Sequence, residues 1–235
     1  MIIVATAEKK LSELALARGA ARVGFADLTH LPPEPRRSMP TGVSLAAVLD
    51  ARVAAGLYKG PSEEYVLEYE RLNDQLAHLS GVVADALRTW GFDAIPLPPT
   101  GMDFDPQTLS TALPHKTVAT RAGMGWIGKN ALLITEQYGA AVRLGTVLTD
   151  ADLDSGTPVD HSRCGDCMRC VQVCPAEAPT GRNWNVALSR QDLLDAHACS
   201  AFAECLSEKL GSAHTVCGMC IAACPWTQKY VKAEG

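Results

Sequence analysis

The apolar positions of the chain alternate between two periods. Residues 6–19 read as a helix: Thr6 can cap it, Leu11, Leu14 and Leu16 supply an apolar side, and Gly19 suits its end. Residues 21–27 are short and strand-like, and residues 42–49 have the continuous apolar character of a buried strand. Between them, residues 31–37 carry three prolines, which fit neither a helix nor a central strand. Residues 56–61 are another break. The longest predicted helix follows, over residues 62–90, with Glu63 and Glu64 in its first turn, where the helix dipole favours acid. Tyr65, Tyr69, Leu72, Leu76, Leu79, Val83 and Leu87 recur at three- and four-residue steps and form one apolar stripe. Tyr65 and Tyr69 can serve as core packing with hydroxyls at the rim, or as phenols aimed at a substrate.

Gly91 stops that helix, residues 92–95 form a short strand, and the prolines of 96–99 end it. Residues 100–109 continue as a loop with Asp103 and Asp105. Residues 110–122 are expected to be helical, with Pro114 in an early turn. Residues 131–139 and 141–149 are two strand-like runs, predicted to form a hairpin around Gly139. Residues 150–163 read as a polar linker. The organisation expected is an α/β (α+β) domain over residues 1–155 and a small module over 156–235. Within the module, helical stretches near 188–198 and 200–210 would carry Cys199 and Cys205.

Three glycines interrupt the pattern at Gly123, Gly125 and Gly128, in the run G-M-G-W-I-G-K-N over residues 123–130. Such crowding implies a tight turn or a backbone that something approaches closely. The letters spell G-x-G-x-x-G, but a helix precedes them and a strand-like run follows, the reverse of a dinucleotide-binding context.

The chemistry concentrates in the module. Residues 164–175 read C-G-D-C-M-R-C-V-Q-V-C-P, the C-x2-C-x2-C-x3-C-P run of bacterial ferredoxins. In that run the first three cysteines serve one 4Fe–4S cluster. The fourth, expected to start a helix, points away and serves another. A second cluster is therefore predicted, and C-G-M-C-I-A-A-C-P over residues 217–225 repeats the run without its first cysteine. The nine cysteines then divide into eight ligands and one spare. Cys164, Cys167 and Cys170 pair with Cys224. Cys217 and Cys220 pair with Cys174 and either Cys199 or Cys205. Zinc would not ask for the C-x3-C-P tail, and disulfides tend to leave no odd cysteine.

Composition limits the rest. The chain has 235 residues, 47% hydrophobic, and a formal net charge of −5, which leaves no basic footprint for nucleic acid or an acidic membrane surface. No apolar run reaches the length of a membrane span. The first ten residues place their charges after a very short apolar stretch, the reverse of a secretory leader. A cytoplasmic location is expected, since it protects cluster thiolates.

Residues 122–130, the run to Asp150 and the first cysteine motif resemble the epoxyqueuosine reductase family. Residues 138–150 and 217–226 are also similar to reductive dehalogenases. The resemblance implies a nitroreductase-like α/β domain holding a cobalamin, followed by a ferredoxin-like domain with two 4Fe–4S clusters. It implies an iron–sulfur reductase acting on a small molecule, fed by a low-potential ferredoxin or flavodoxin. It also selects Cys199, after an Asp195-Ala pair, as the eighth ligand and Cys205 as the spare. The metal ligands so implied are Cys164, Cys167, Cys170, Cys174, Cys199, Cys217, Cys220 and Cys224. Lys116, Gly123, Gly125, Trp126, Ile127, Gly128, Lys129 and Asn130 would contact the cofactor. Tyr69, Asp105 and His115 are the candidate proton donors.

The family's acid, an aspartate upstream of the glycines, has no counterpart in register here: the ungapped position falls at Leu109-Ser110. The chain is also shorter than is typical of that family and lacks its helical-repeat extension, so a tRNA-facing surface is not expected. Alternatives are an iron–sulfur flavoenzyme with FMN, a pure electron carrier, or a corrinoid-reducing protein serving another enzyme.

Overall fold

The computed structural model describes residues 6–99 and 104–234. In chain order the elements are α1 (Ala7–Leu16), β1 (Arg22–Asp27), β2 (Thr41–Val48), α2 (Ala51–Gly56), a 3-10 turn (Leu57–Lys59), α3 (Glu63–Thr89), β3 (Ala94–Leu97), α4 (His115–Arg121), β4 (Trp126–Ile127), β5 (Leu133–Ile134), β6 (Val142–Thr149), α5 (Arg169–Gln172), α6 (Ala196–Lys209), α7 (Met219–Ala222) and α8 (Pro225–Glu234). The mixture of helix and strand is the α/β (α+β) class expected. The chain forms two compact units. The first takes the chain up to Val48, Leu72–Met124 and Arg143–Val159; the second takes Leu49–Arg71, Gly125–Val142 and the chain from Asp160.

The first unit is built on a four-stranded sheet of order β1-β2-β6-β3. β1 and β2 are antiparallel, with Val23 opposite Leu45, and β3 is antiparallel to β6, with Ile95 opposite Leu148. β3 is an edge strand, which is why Pro96 is tolerated within it: its missing N–H takes nothing from a neighbour. The predicted strand at 92–95 is therefore displaced two residues along the chain. α1 begins where Thr6 Oγ1 accepts the Lys9 N–H at 3.3 Å. It packs on β1, and α4 packs on β1 and β2. In α3, Leu76, Leu79, Val83 and Leu87 are fully buried. The absent side chain of Gly145 lets β6 approach Leu76 and Ser80. Arg143 at the start of β6 donates to Asn73 Oδ1 of α3 at 2.7 and 3.1 Å.

α4 starts at His115, not at residue 110. Proline pushes the residue before it out of the helical region, so the helix cannot extend back through Leu113, and Pro114, itself extended, is its N-cap residue. Asp105 and Ser110 instead form an isolated bridge, and Asp103 lies outside the described residues.

The second unit has little regular sheet. The expected hairpin of 131–139 with 141–149 does not form. β5 pairs with β4, Trp126 opposite Ile134, while β6 joins the four-stranded sheet. Thr135 and Gly139 close a tight turn that ends the 131–139 run early. α2, which the periodicity did not reveal, is six residues long and capped by Asp50, whose carboxylate accepts the Arg52 N–H at 2.8 Å. Glu68, nearly buried, accepts the Asp50 N–H at 3.0 Å and the Arg71 guanidinium at 2.7 and 2.8 Å. α8 is held by the Tyr230 hydroxyl, which donates to the Leu49 carbonyl at 2.8 Å, and by the fully buried Thr227, whose Oγ1 accepts the Ala140 N–H at 3.0 Å. Residues 188–195 are turns, and a single helix, α6, carries both Cys199 and Cys205. It starts at Ala196 because the Asp195 carboxylate caps the Ala198 N–H at 3.0 Å.

Candidate metal centre

All nine thiols are free, and all lie in the second unit. Cys164 and Cys167 sit on the loop before α5, Cys170 on α5, and Cys174 just beyond its end. The second motif is arranged likewise: Cys217 precedes α7, Cys220 lies on it, and Cys224 stands immediately before α8. The fourth cysteine of each run thus behaves differently. Cys224 leads into a helix, whereas Cys174 is followed by a turn rather than the helix expected there.

The thiols separate into two sets. Cys164, Cys167, Cys170 and Cys224 share the wall of one cavity enclosing about 390 Å³, open solvent included. Burial, then the neighbouring Cys164, Cys224 and Cys167 sulfurs, push the Cys170 thiol up to about 12. In the second set, burial and then the Cys174 and Cys217 sulfurs raise the Cys199 thiol. Cys220 is raised by burial and then by Cys217 and Cys199, with weaker influence from Cys170 and Cys174. Crowded thiolates in a dry setting repel one another, and a bound cation relieves that repulsion, releasing protons as it binds.

Cys205 is exposed. It lies on the same helix as Cys199, six residues on, which at 3.6 residues per turn is about 120° around the axis. The two thiols therefore cannot face the same set. Among the described residues no three His, Cys, Asp or Glu side chains converge on a point suited to a single metal ion. A cubane, by contrast, distributes its four thiolates over four irons.

The other expected site residues divide between the units. Gly125, Trp126, Ile127, Gly128, Lys129 and Asn130 belong to the second. A side chain on Gly125 would strike the Ile134 carbonyl across the hairpin, so this glycine serves the β4–β5 pairing. Gly128, Lys129, Asn130 and Ile134 line the cavity of the first cysteine set, with Pro225 and Trp226. Trp126 is 1% exposed, its ring edge-on to Trp226 at 5.2 Å, and the Arg163 guanidinium lies 5.4 Å over it. Its indole N–H is buried without an acceptor among the described residues. Lys129 reaches the Met168 sulfur at 3.4 Å, and Asn130 Nδ2 donates to the Cys220 carbonyl at 3.4 Å. No sequence signal marked Ile134 or Met168 as neighbours of this cavity, since hydrophobic residues there look like ordinary core.

Gly123, Lys116, Asp105 and His115 belong to the first unit. Gly123 has φ +70° and its Cα faces the Thr157 carbonyl, where a Cβ would stand 2.6 Å away. Lys116 is half-buried on α4. Asp105 is exposed; hydrogen bonds from the Thr108 hydroxyl and the Gln107 N–H hold its carboxyl below the usual range. His115 has both ring nitrogens engaged, Nε2 with the Pro98 carbonyl at 2.9 Å and Nδ1 with the Thr146 hydroxyl at 2.8 Å. The carbonyl can only accept, so Nε2 carries the proton and Nδ1 receives the Thr146 hydrogen. Burial lowers its pKa, against the hydrogen bond to Pro98, with Arg143 lowering it further. Tyr69 lies in the second unit, half-buried, its ring 5.2 Å from His214 and 6.4 Å from Tyr65.

Residues 163–227 match the 4Fe-4S double cluster binding domain. The second unit therefore carries an iron–sulfur double-cluster module. More particularly, the chain is similar to epoxyqueuosine reductases over about half of its length. It is 34% identical to the epoxyqueuosine reductase of Lactococcus garvieae over 125 residues, covering 50% of this chain and 33% of that protein. It is 36% identical to that of Gloeobacter violaceus over 122 residues, covering 48% and 35%. The chain thus spans about a third of the length of the curated relatives it matches.

Among solved structures, the catabolic reductive dehalogenase NpRdhA superposes with a TM-score of 0.72 at 17% identity, over 96% of this chain and 33% of that one. A selenomethionine-labelled epoxyqueuosine reductase superposes with a TM-score of 0.64 at 19% identity, over 93% and 65%. The fold read from the sequence is the one these proteins share. Among the described residues no helix is long and apolar enough to cross a membrane.

Proposed function

We propose that the protein is a cytoplasmic iron–sulfur reductase of the epoxyqueuosine reductase type. Two 4Fe–4S clusters pass electrons from an external ferredoxin or flavodoxin toward a cobalamin, for reduction of a small-molecule substrate. The observation that carries this reading is the separation of eight cysteines into two sets of four, with the ninth apart and exposed. The first set is Cys164, Cys167, Cys170 and Cys224; the second is Cys174, Cys199, Cys217 and Cys220. The donor chemistry fits 4Fe–4S clusters, which take four thiolates each.

The cobalamin rests on relatedness; one dehalogenase of this fold is described as B12-dependent. When bound it would supply a low-potential reductant for the substrate. The residues from Gly125 to Asn130 do not fit a corrin contact, because the hairpin and the cysteine cavity already engage them. Of these, Gly128, Lys129 and Asn130 would wall the first cluster. Lys116 and Gly123 remain the candidates for the cofactor in the domain of residues 1–155, and residues 156–235 supply the ligands. Of the proton donors, Asp105 is held ionised and the His115 Nε2 proton is given to Pro98, so Tyr69 is the one to test first.

Anaerobic purification with iron, sulfide, cobalt and flavin quantified per chain tests the reading. Eight irons and one cobalt per chain support it. Flavin in place of cobalt would make the protein a flavoenzyme, and clusters alone would leave an electron carrier or corrinoid reductase. An epoxyqueuosine reductase has been solved with an epoxyqueuosine-modified tRNA stem loop. Turnover of such a stem loop by this protein would replace the small-molecule substrate with tRNA.

A further inference from the structure

Lys129 is a buried cation with no carboxylate partner among the described residues. It is 4% exposed and forms no ion pair among the described residues; its one polar contact is the thioether of Met168, at 3.4 Å. Thioether sulfur is a weak acceptor and carries no charge. A lysine so placed is costly, because burial strips the ammonium of water and nothing repays it. The cavity it lines supplies the missing partner: Cys164, Cys167, Cys170 and Cys224 form the same wall. Met168, which holds the ammonium, lies between Cys167 and Cys170 in the ligand loop itself.

Arg190 and Asp195 act on Cys199 with opposite sign. Of the other cations near the first set, Arg163 is exposed and paired with Glu136, and the Arg169 guanidinium donates to Gln228 at 2.7 Å. Lys129 is thus the buried charge that the cavity leaves unanswered.

We propose that Lys129 is the internal counter-charge of the cluster held by Cys164, Cys167, Cys170 and Cys224, and that it makes this cluster the easier of the two to reduce. The proposal rests on the double-cluster reading above. A cluster taking one electron from its donor gains one negative charge, and net charge is among the factors that set its potential. A fixed cation beside it favours the reduced state, and the low dielectric of a buried site magnifies the effect. Electrons entering the protein then collect on the first cluster rather than dividing between both.

The test is an anaerobic redox titration with dithionite as reductant, followed by electron paramagnetic resonance, on wild-type protein, Lys129→Met and Lys129→Arg. Iron is counted in each, and the cluster signal that survives in Cys199→Ser identifies the first cluster. The expected wild-type result is a higher midpoint for the first cluster. Lys129→Met should weaken its reduction equilibrium tenfold or more, about 59 mV for a one-electron couple, and leave the second cluster unmoved. Lys129→Arg should restore most of the shift. If Lys129→Met loses iron from the first set and Lys129→Arg keeps it, the counter-charge role also stands. An unchanged midpoint in Lys129→Met overturns the proposal. So does loss of iron in both variants, which would mean that Lys129 only fills space. Wild-type protein that binds no iron would instead sink the double-cluster reading.

Discussion

The two units of this protein are specified by different parts of the physics. In the first, apolar periodicity dictates the elements: Leu76, Leu79, Val83 and Leu87 fall on one face of α3, and β2 is buried along nearly its whole length. In the second, α5 and α7 are only four residues long, far below the length at which a helix is stable alone. None of the residues of α5 is buried. The geometry there comes from cysteine spacing, from caps such as Asp195, and from a few anchors such as Trp126 and Thr227. The second unit also has buried apolar residues, among them Leu49, Leu57, Trp126 and Ile134, but its cysteine loops lie on elements too short to hold themselves.

Removal of iron should break that contrast most visibly. Chelation under reducing conditions is expected to raise amide exchange across residues 164–175 and 217–224 by orders of magnitude, while β1, β2 and β6 stay protected. Equal loss in both regions would mean the first unit has no stability of its own. Cys199→Ser should then cost half of the bound iron and Cys205→Ser none, as counted by iron analysis; the reverse would exchange their roles. Leu76→Ala, in the first unit, should lower stability by about 2–5 kcal/mol through the cavity left in a packed helix–sheet contact, without changing iron content. Glu68→Gln, in the second unit, should cost about 1–3 kcal/mol by weakening the acceptor of Asp50 and Arg71. Denaturant melts of the iron-loaded protein would measure both.

The smallest effect is a pH dependence. His115 has a folded pKa below its unfolded value of about 6.5. Below that pH the unfolded chain takes a proton that the folded chain refuses, so stability falls as pH drops through 6.5 toward the lower folded value. Above 6.5 both states are neutral at this residue and the term vanishes. His115→Gln should flatten that portion of the stability profile; an unaltered profile would assign the dependence elsewhere.

Much of the first unit was legible because its signals are local. α3 was expected at 62–90 and spans Glu63–Thr89, since a seven-residue apolar stripe leaves little freedom. The hairpin failed for a different reason. The runs 131–139 and 141–149 each read as strand, but a strand pattern does not say which strand it pairs with, and β6 found its place in the larger sheet. α4 was drawn too long by giving Pro114 a place inside the helix instead of at its cap. In the metal centre, the spacing groups seven cysteines and leaves the choice between Cys199 and Cys205 open, which only the family resemblance makes. The neighbourhood of Lys129 was not legible: its glycine-rich run suggests a cofactor loop, and only the pairing of β4 with β5 turns it toward the thiols.

The interleaving of the units bears on how such proteins can be recombined. A tail comprising only residues 156–235, transplanted onto another scaffold, would arrive without Trp126 against Trp226, without Gly139 and Ala140 beside Thr227, and without Leu57 under Gly218. A transplant of this unit would therefore have to carry three separate stretches of sequence together, because the tail brings the thiols, Pro225 and Trp226 but not the side of their cavity lined by Gly128, Lys129 and Asn130.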